Sequence, residues 1–115
     1  MSRSEDWVRL RHMRDAARTA VEIAHGPGAE VDDQRTQFAL MHLMTVVGEA
    51  ASRVTPETRG RLPDIPWAEV VGMRNILVHV YFDIDVPRVL QTVEHDLPSL
   101  IAAVERVLRE DDRLS

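Results

Sequence analysis

Apolar residues recur every three or four positions along almost the whole chain, and this spacing constrains the fold more than any other feature of the sequence. Such spacing places side chains on one face of an α-helix, whereas a half-buried strand needs strict alternation. Runs of Gly and Pro divide the pattern into four long segments. Long helices joined by short connectors favour antiparallel neighbours. The sequence therefore predicts an all-α fold, an antiparallel four-helix bundle, and its 115 residues correspond to a single domain, 1–115.

Capping and breaking residues mark the ends of the first two predicted helices. Gly26 and Gly28, on either side of a proline, end the first helix, and either Asp32 or Asp33 caps the second. We place Phe38 on the buried face of that second helix, with Met41, Leu43, Met44, Val47, Ala50, Ala51 and Val54. Residues 55–66 hold three prolines and a glycine, so they are expected to form a connector with at most one short helical turn.

Proline also organises the second half of the chain. Pro66 suits the start of a third helix, which continues from Trp67 to Val80. Asp85 is expected to cap the last helix. Pro98 lies inside that helix, and because proline lacks an N–H group it should kink the helix there.

The charge balance limits what the chain can bind. Fourteen basic residues, all of them arginine, against 19 acidic ones give a net charge of −5. Affinity for nucleic acid comes largely from cationic patches that release counterions from phosphate. Nucleic-acid chemistry in this chain would therefore need a local arginine cluster or a basic cleft formed by assembly.

Other features of the composition exclude several classes of site. The chain has no cysteine, so it has no disulfide and no thiolate metal site. Its histidines lack the spacing of metal ligands, and we expect neither a metal nor a cofactor. No apolar run is long enough to span a bilayer and the first residues do not resemble a signal peptide, so we expect no membrane partner and a cytoplasmic location.

One segment carries more polar groups than core packing explains. Arg74, Asn75, His79 and Tyr81 fall within eight positions of an otherwise apolar helix, and they include the only Asn and the only Tyr of the chain. Polar groups buried in an apolar helix are costly unless they find partners. This segment is therefore the candidate functional site.

Helix geometry restricts how these side chains can cooperate. Arg74 and His79 are five residues apart, so they diverge by about 140° around a straight helix, whereas Asn75 and His79 share a face. Three arrangements could still bring Arg74 and His79 together. The long arginine side chain could curl round, the helix could unwind near His79, or a second chain could complete the site.

At this point the sequence resembles a known family. Arg74, His79 and Tyr81 form the Arg-x4-His-x-Tyr motif of HEPN-domain proteins, and specifically of the HepT-like toxins. Other segments are similar as well: Val47-Gly48-Glu49-Ala50, Ile65-Pro66-Trp67, Gly72-Met73, Ile84-Asp85 and Leu97-Pro98. The resemblance covers about residues 7 to 108.

The resemblance implies a metal-independent ribonuclease that acts as a homodimer with a composite cleft and needs no cofactor of its own. In that reading Arg74 stabilises charge on the phosphate in the transition state, and His79 acts as general acid and base. Asn75 supports the site by positioning the phosphate or the histidine. Glu49 is a supporting residue that orients Arg74. The expected product is a 2′,3′-cyclic phosphate.

Tyr81 has a separate implied role. Systems that resemble this one encode an MNT-type nucleotidyltransferase antitoxin, which transfers AMP from ATP onto the motif tyrosine. The added bulk and negative charge would repel RNA phosphate. Any Mg²⁺ and ATP would then belong to the partner.

Several plainer readings stay open. Arg74 could simply form a buried ion pair with Glu49, His79 could be an ordinary histidine at a helix end, and Tyr81 could be a packing residue. A second reading of the whole chain is a catalytically weak helical adaptor that binds the nucleotidyltransferase and is modified by it. A third is a structural bundle in which the motif is coincidental.

Overall fold

The computed structural model describes residues 3–79 and 86–114, with side chains over 5–74 and 86–111. Its helices are α1 (Arg3–His25), α2 (Gln34–Ser52), α3 (Pro56–Gly60), α4 (Trp67–His79), α5 (Val86–Gln91) and α6 (Leu97–Leu114). A π-helical turn, Thr92–Asp96, joins α5 to α6, so these pieces form one long interrupted helix. The two described ranges contain no strand, and the predicted all-α helical fold is confirmed.

The long helices pack around one apolar core. α1 lies against both α2 and α6, and α2 also packs against α4. The largest fully buried apolar side chains come from α1, α2, the connector, the π-helical turn and α6: Leu10, Met13, Leu40, Val47, Leu62, Val93, Leu97, Val104 and Val107. Across the described ranges, no helix combines the length and the apolar character needed to cross a membrane.

Helix α2 begins where its capping residues predict, but one of the apolar residues expected on its buried face is exposed. Of the two candidate caps, Asp33 is the one used: its Oδ1 accepts a hydrogen bond from the backbone N–H of Arg35 at 3.0 Å. The prediction for Phe38 is wrong, since that side chain is 50% exposed. Phe38 lies two residues, or about 200°, from the buried Leu40, which places it outside the buried stripe.

The connector between α2 and α4 is held by residues of the bundle. It contains the expected short helix, α3, and Asp6 of α1 reaches it from a position only 2% exposed. Asp6 accepts hydrogen bonds from the N–H of Thr55 at 3.1 Å and from the hydroxyl groups of Thr55 and Thr58. Burial raises the pKa of Asp6, but these hydrogen bonds outweigh burial and hold the pKa below its ordinary value.

Arg59 and Trp67 complete this connector. The guanidinium of Arg59 donates to the carbonyl oxygens of Val54 (3.1 Å), just beyond α2, and of Ala51 (3.0 Å), in its last turn. It also stacks 5.2 Å from the centre of the Trp67 ring, whose Nε1 donates to the carbonyl of Leu62 at 3.1 Å. The path of the chain into α4 is therefore fixed from two sides.

Pro98 disturbs the last helix in the expected region, although the form of the disturbance is a π-helical turn. The turn Thr92–Asp96 directly precedes Leu97 and Pro98. A proline ring clashes with the carbonyl four residues earlier, and a locally wider turn relieves that clash. The predicted cap Asp85 lies outside the described residues.

Candidate functional site

Arg74 is held by an ion pair between two helices. Its Nη1 lies 3.3 Å from Oε1 of Glu49. Glu49 belongs to α2, the helix that packs against α4. The plainer reading expected this pair to be buried, but the two side chains are 36% and 50% exposed. Exposed ion pairs contribute little to stability. The contact therefore serves to orient the guanidinium at the surface.

Gly48 allows the two helices to approach at this point. A Cβ atom added at Gly48 would lie 2.9 Å from the backbone N of Arg74, 3.1 Å from its Cβ and 3.2 Å from the carbonyl oxygen of Val70. The contact of 2.9 Å with a backbone atom would force the helices to shift, and the other two contacts are tight. Only glycine fits, so Gly48 sets how closely α2 carries Glu49 to Arg74.

The other motif residues can be placed only by their backbone. Asn75 and His79 belong to α4, which stays helical up to His79, and Tyr81 lies outside the described residues. The helix therefore does not unwind between Arg74 and His79, and their backbone positions lie about 140° apart around the helix axis. Of the three arrangements considered, those with a curled arginine or a second chain remain. The side chains of Asn75 and His79 lie outside the part of the chain whose side chains are described, so the roles predicted for them stay predictions.

A groove between α1 and α2 adjoins this ion pair. It encloses about 370 Å³ and is lined by Arg9, His12, His42, Thr45, Val46, Glu49, Ala50 and Arg53. We call it the Arg9/Arg53 groove. Sequence reasoning missed it because its cationic residues come from two helices about 40 positions apart, and no spacing along the chain relates them.

A second groove has the opposite charge. It lies between the start of α4 and the last helix, encloses about 220 Å³, and its lining includes Asp64, Glu69 and Asp96. Within the part of the chain that the structure describes, no group of three or more His, Asp or Glu side chains is arranged to hold a metal ion.

Comparison with known proteins places this chain in a family. The family profile described as "Ribonuclease HepT-like" matches residues 4–107, which include the whole segment from Arg74 to Tyr81. The chain belongs to the HepT-like ribonuclease family. The HepT-like match confirms the resemblance inferred from the motif and agrees with the helical bundle described above.

Curated relatives point the same way. A Thermococcus cleftensis protein named "Probable ribonuclease HepT" is 37% identical over 75 residues, which cover 65% of this chain and 68% of the relative. A Methanocaldococcus jannaschii protein, named as a candidate RNase, is 34% identical over 77 residues, covering 67% of this chain and 71% of its own. Another candidate RNase, from Caldanaerobacter subterraneus, is 27% identical over 104 residues, 89% of this chain and 93% of its own. No solved structure matches this HepT-like chain.

Proposed function

We propose that this HepT-like protein is a metal-independent endoribonuclease toxin whose Arg74 and His79 act in a cleft completed by a second copy of the chain. The observation that carries the proposal is the presentation of Arg74 by Glu49 at the protein surface, on a helix that continues unbroken to His79. A guanidinium held at the surface is available to a ligand. The ion pair with Glu49 also holds the Arg74 side chain towards α2. A side chain held there is not curled round α4 towards the position of His79.

The residue types suit cleavage of a phosphodiester. The 2′-oxygen of the ribose attacks the adjacent phosphorus and the bond to the 5′-oxygen of the next nucleotide breaks, which leaves a 2′,3′-cyclic phosphate and a 5′-hydroxyl. An imidazole can accept the proton of the 2′-hydroxyl or donate one to the departing 5′-oxygen, and this is the role of His79. Arg74 binds the phosphate oxygens as charge grows on them, and Asn75 supports the same phosphate.

The twofold arrangement follows from the divergence of the two side chains. The positions of Arg74 and His79 lie about 140° apart around one straight helix, whereas two copies of α4 facing each other across a twofold axis can aim one group from each chain at the same phosphate, and we propose this arrangement over a curled arginine. A homodimer also gathers two copies of each cationic group in one place. The net charge of −5 makes such local concentration necessary for binding RNA.

We further propose that an MNT-type nucleotidyltransferase antitoxin controls the enzyme through Tyr81. The phenolic oxygen of Tyr81 attacks the α-phosphorus of ATP, AMP becomes attached to the tyrosine and pyrophosphate leaves. The added phosphate places negative charge two residues from His79, where it repels RNA. A cytoplasmic location would give this system access to both RNA and ATP, and we include it in the proposal.

A catalytically weak adaptor is the second candidate, and the acidic net charge favours it. Such a protein would bind the nucleotidyltransferase and accept AMP without cleaving RNA. Cleavage assays separate the two candidates, because the adaptor loses nothing when Arg74 or His79 is replaced.

Cleavage of labelled RNA by the purified protein, in buffer containing EDTA, tests the nuclease proposal. Arg74→Ala and His79→Ala should each lower the rate by at least about a hundredfold, the usual effect of removing an acid–base or charge-stabilising group. Arg106→Ala, a change at an exposed arginine of α6, is the control and should cleave at the normal rate. Equal cleavage by all four proteins would show that the activity belongs to a contaminant or to another site.

Incubation with the nucleotidyltransferase and ATP tests the role of Tyr81. The intact protein should gain the mass of one AMP and lose cleavage activity, and Tyr81→Phe should do neither because it lacks the acceptor oxygen. A mass gain that persists in Tyr81→Phe would assign the modification to another residue.

A further inference from the structure

We infer that the Arg9/Arg53 groove binds the sugar–phosphate backbone of the RNA strand that extends from the scissile phosphate at Arg74. This inference rests on the proposed ribonuclease function and adds to it a path for the substrate. The proposal concerns contacts with phosphate, which set position and affinity and carry no preference for base sequence.

The charges in the groove favour an anion. Two guanidinium groups and two imidazoles, from His12 and His42, face a single carboxylate, that of Glu49. Glu49 is itself engaged by Arg74. The groove is thus a local cationic surface on a protein with a net charge of −5, which is the feature that binding of nucleic acid requires here.

Within the described side chains, neither arginine of the groove forms an ion pair. The Nε atom of Arg9 is buried and has no hydrogen-bond partner among the described residues. Arg53 is exposed, and its side chain makes no ion pair within the same ranges. A guanidinium without a carboxylate partner can donate through its other N–H groups to an incoming phosphate oxygen.

The groove is continuous with the candidate catalytic residues. Glu49 lines the groove and contacts Arg74, so the two sites share a side chain. Arg53 lies four residues further along α2, about 6 Å by helical rise, and His42 lies seven residues in the other direction, about 10 Å. A strand held at Arg74 can therefore follow α2 past Arg53 or His42.

An RNA backbone fits this groove better than a protein partner does. Of the residues that the structure describes, its lining includes no Trp, Tyr, Phe or Leu, and its apolar members are Val46 and Ala50. The residues that dominate binding between proteins are enriched in Trp, Tyr and Arg, and of these types the described lining supplies only arginine. Phosphate binding needs only positive groups spaced along a channel.

Binding of single-stranded RNA at several salt concentrations tests the inference. Full-length protein carrying His79→Ala is used, so that the RNA is bound without being cleaved, and a fluorescent oligonucleotide reports binding by anisotropy. Adding Arg9→Gln and Arg53→Gln together should weaken binding about tenfold at low salt. Each lost phosphate contact should also reduce the slope of log affinity against log salt by about 0.7.

Arg11→Gln is the matched control. Arg11 is an exposed residue of α1 that does not line the groove, and its replacement removes one positive charge, as Arg9→Gln or Arg53→Gln does alone. It should leave the affinity within about twofold of the parent protein. Equal weakening by Arg11→Gln would reduce the effect to net charge and overturn the inference.

Two further measurements keep the outcomes distinct. Thermal unfolding identifies variants that fail to fold; if Arg9→Gln does, the exposed Arg53→Gln alone and the charge-retaining Arg9→Lys carry the test. Unchanged RNA affinity and salt slope in folded Arg53→Gln would refute the groove while leaving RNA cleavage by the parent protein untouched. RNA binding by the groove would also be refuted if the groove variants lost affinity for the nucleotidyltransferase but kept their affinity for RNA. If the groove variants bind RNA more weakly but the protein with its native His79 does not cleave RNA, the groove is supported and the nuclease proposal is refuted.

Discussion

At Gly48, a single hydrogen atom in place of a side chain determines how closely two helices meet. We predict that Gly48→Ala separates α2 from α4, because the new Cβ would meet the backbone of Arg74 at 2.9 Å. Overpacking of this kind costs about 1–3 kcal/mol of unfolding free energy. The Glu49–Arg74 contact should be lost with it, so RNA cleavage should fall more than the folded fraction does. Urea denaturation and cleavage rate, measured on the same samples, check both parts.

Gly72→Ala provides the matched comparison. Gly72 lies in α4 two residues before Arg74, and a Cβ added there meets nothing within 4 Å. Replacing a glycine inside a helix by alanine stabilises it by about 0.5–1 kcal/mol. Gly72→Ala should therefore raise the free energy of unfolding and keep the cleavage rate. A Gly48→Ala protein that behaved in the same way would show that the contact at Arg74 relaxes without consequence.

Asp6 joins two elements, α1 and the connector that leads to α4, through hydrogen bonds to Thr55 and Thr58. Its pKa is lower in the folded protein than its ordinary value of 3.8, so the unfolded chain takes up a proton first as pH falls. The stability that Asp6 contributes is therefore fully present above about pH 4 and is lost as pH falls through the folded pKa. We predict that Asp6→Asn lowers the free energy of unfolding at pH 7 by about 1.5–3 kcal/mol, the usual contribution of hydrogen bonds to a charged group.

The pH dependence separates this role from simple packing. The difference in unfolding free energy between the parent protein and Asp6→Asn should shrink as pH is lowered below 4, because the parent carboxylate becomes neutral as well. Asp15→Asn, at an exposed position of α1, should have almost the same unfolding free energy as the parent protein, both at pH 7 and in acid. A difference for Asp6→Asn that stays constant from pH 7 to acid would exclude the charge as its source.

Local patterns predicted the elements well, and they failed where the outcome depended on contacts between elements. Apolar periodicity and helix-breaking Gly and Pro residues located α1, α2, α4 and the last helix. The cap of α2 is Asp33, one of the two candidates that the sequence offered. Phe38 is exposed because a helix face about 100° wide can be rotated by a residue or two without changing its periodicity. The π-helical turn before Pro98 could not be read from the sequence, since a kink has several backbone solutions.

At the scale of the whole molecule, the excess of acidic residues is distributed unevenly. The groove that adjoins Arg74 carries two arginines and one carboxylate, whereas the groove between α4 and the last helix carries Asp64, Glu69 and Asp96. Net charge alone argued against binding of nucleic acid, and it could not reveal this separation because the residues of each groove come from different helices. The motif from Arg74 to Tyr81 was visible in the sequence, but the contacts that present Arg74 depend on Gly48 and Glu49, which the fold brings to it.

The twofold site makes a prediction that only the assembled molecule can test. Arg74→Ala and His79→Ala proteins, each inactive alone, should regain activity when their protomers are exchanged. A mixed dimer retains one arginine on one chain and one histidine on the other, which together form one intact site. Random exchange makes half of the dimers mixed, each with one of its two sites restored, so about a quarter of the parent activity is expected. Sedimentation and mass spectrometry establish that mixed dimers are present; if they are and the RNA still stays intact, each protomer must supply both groups to its own site.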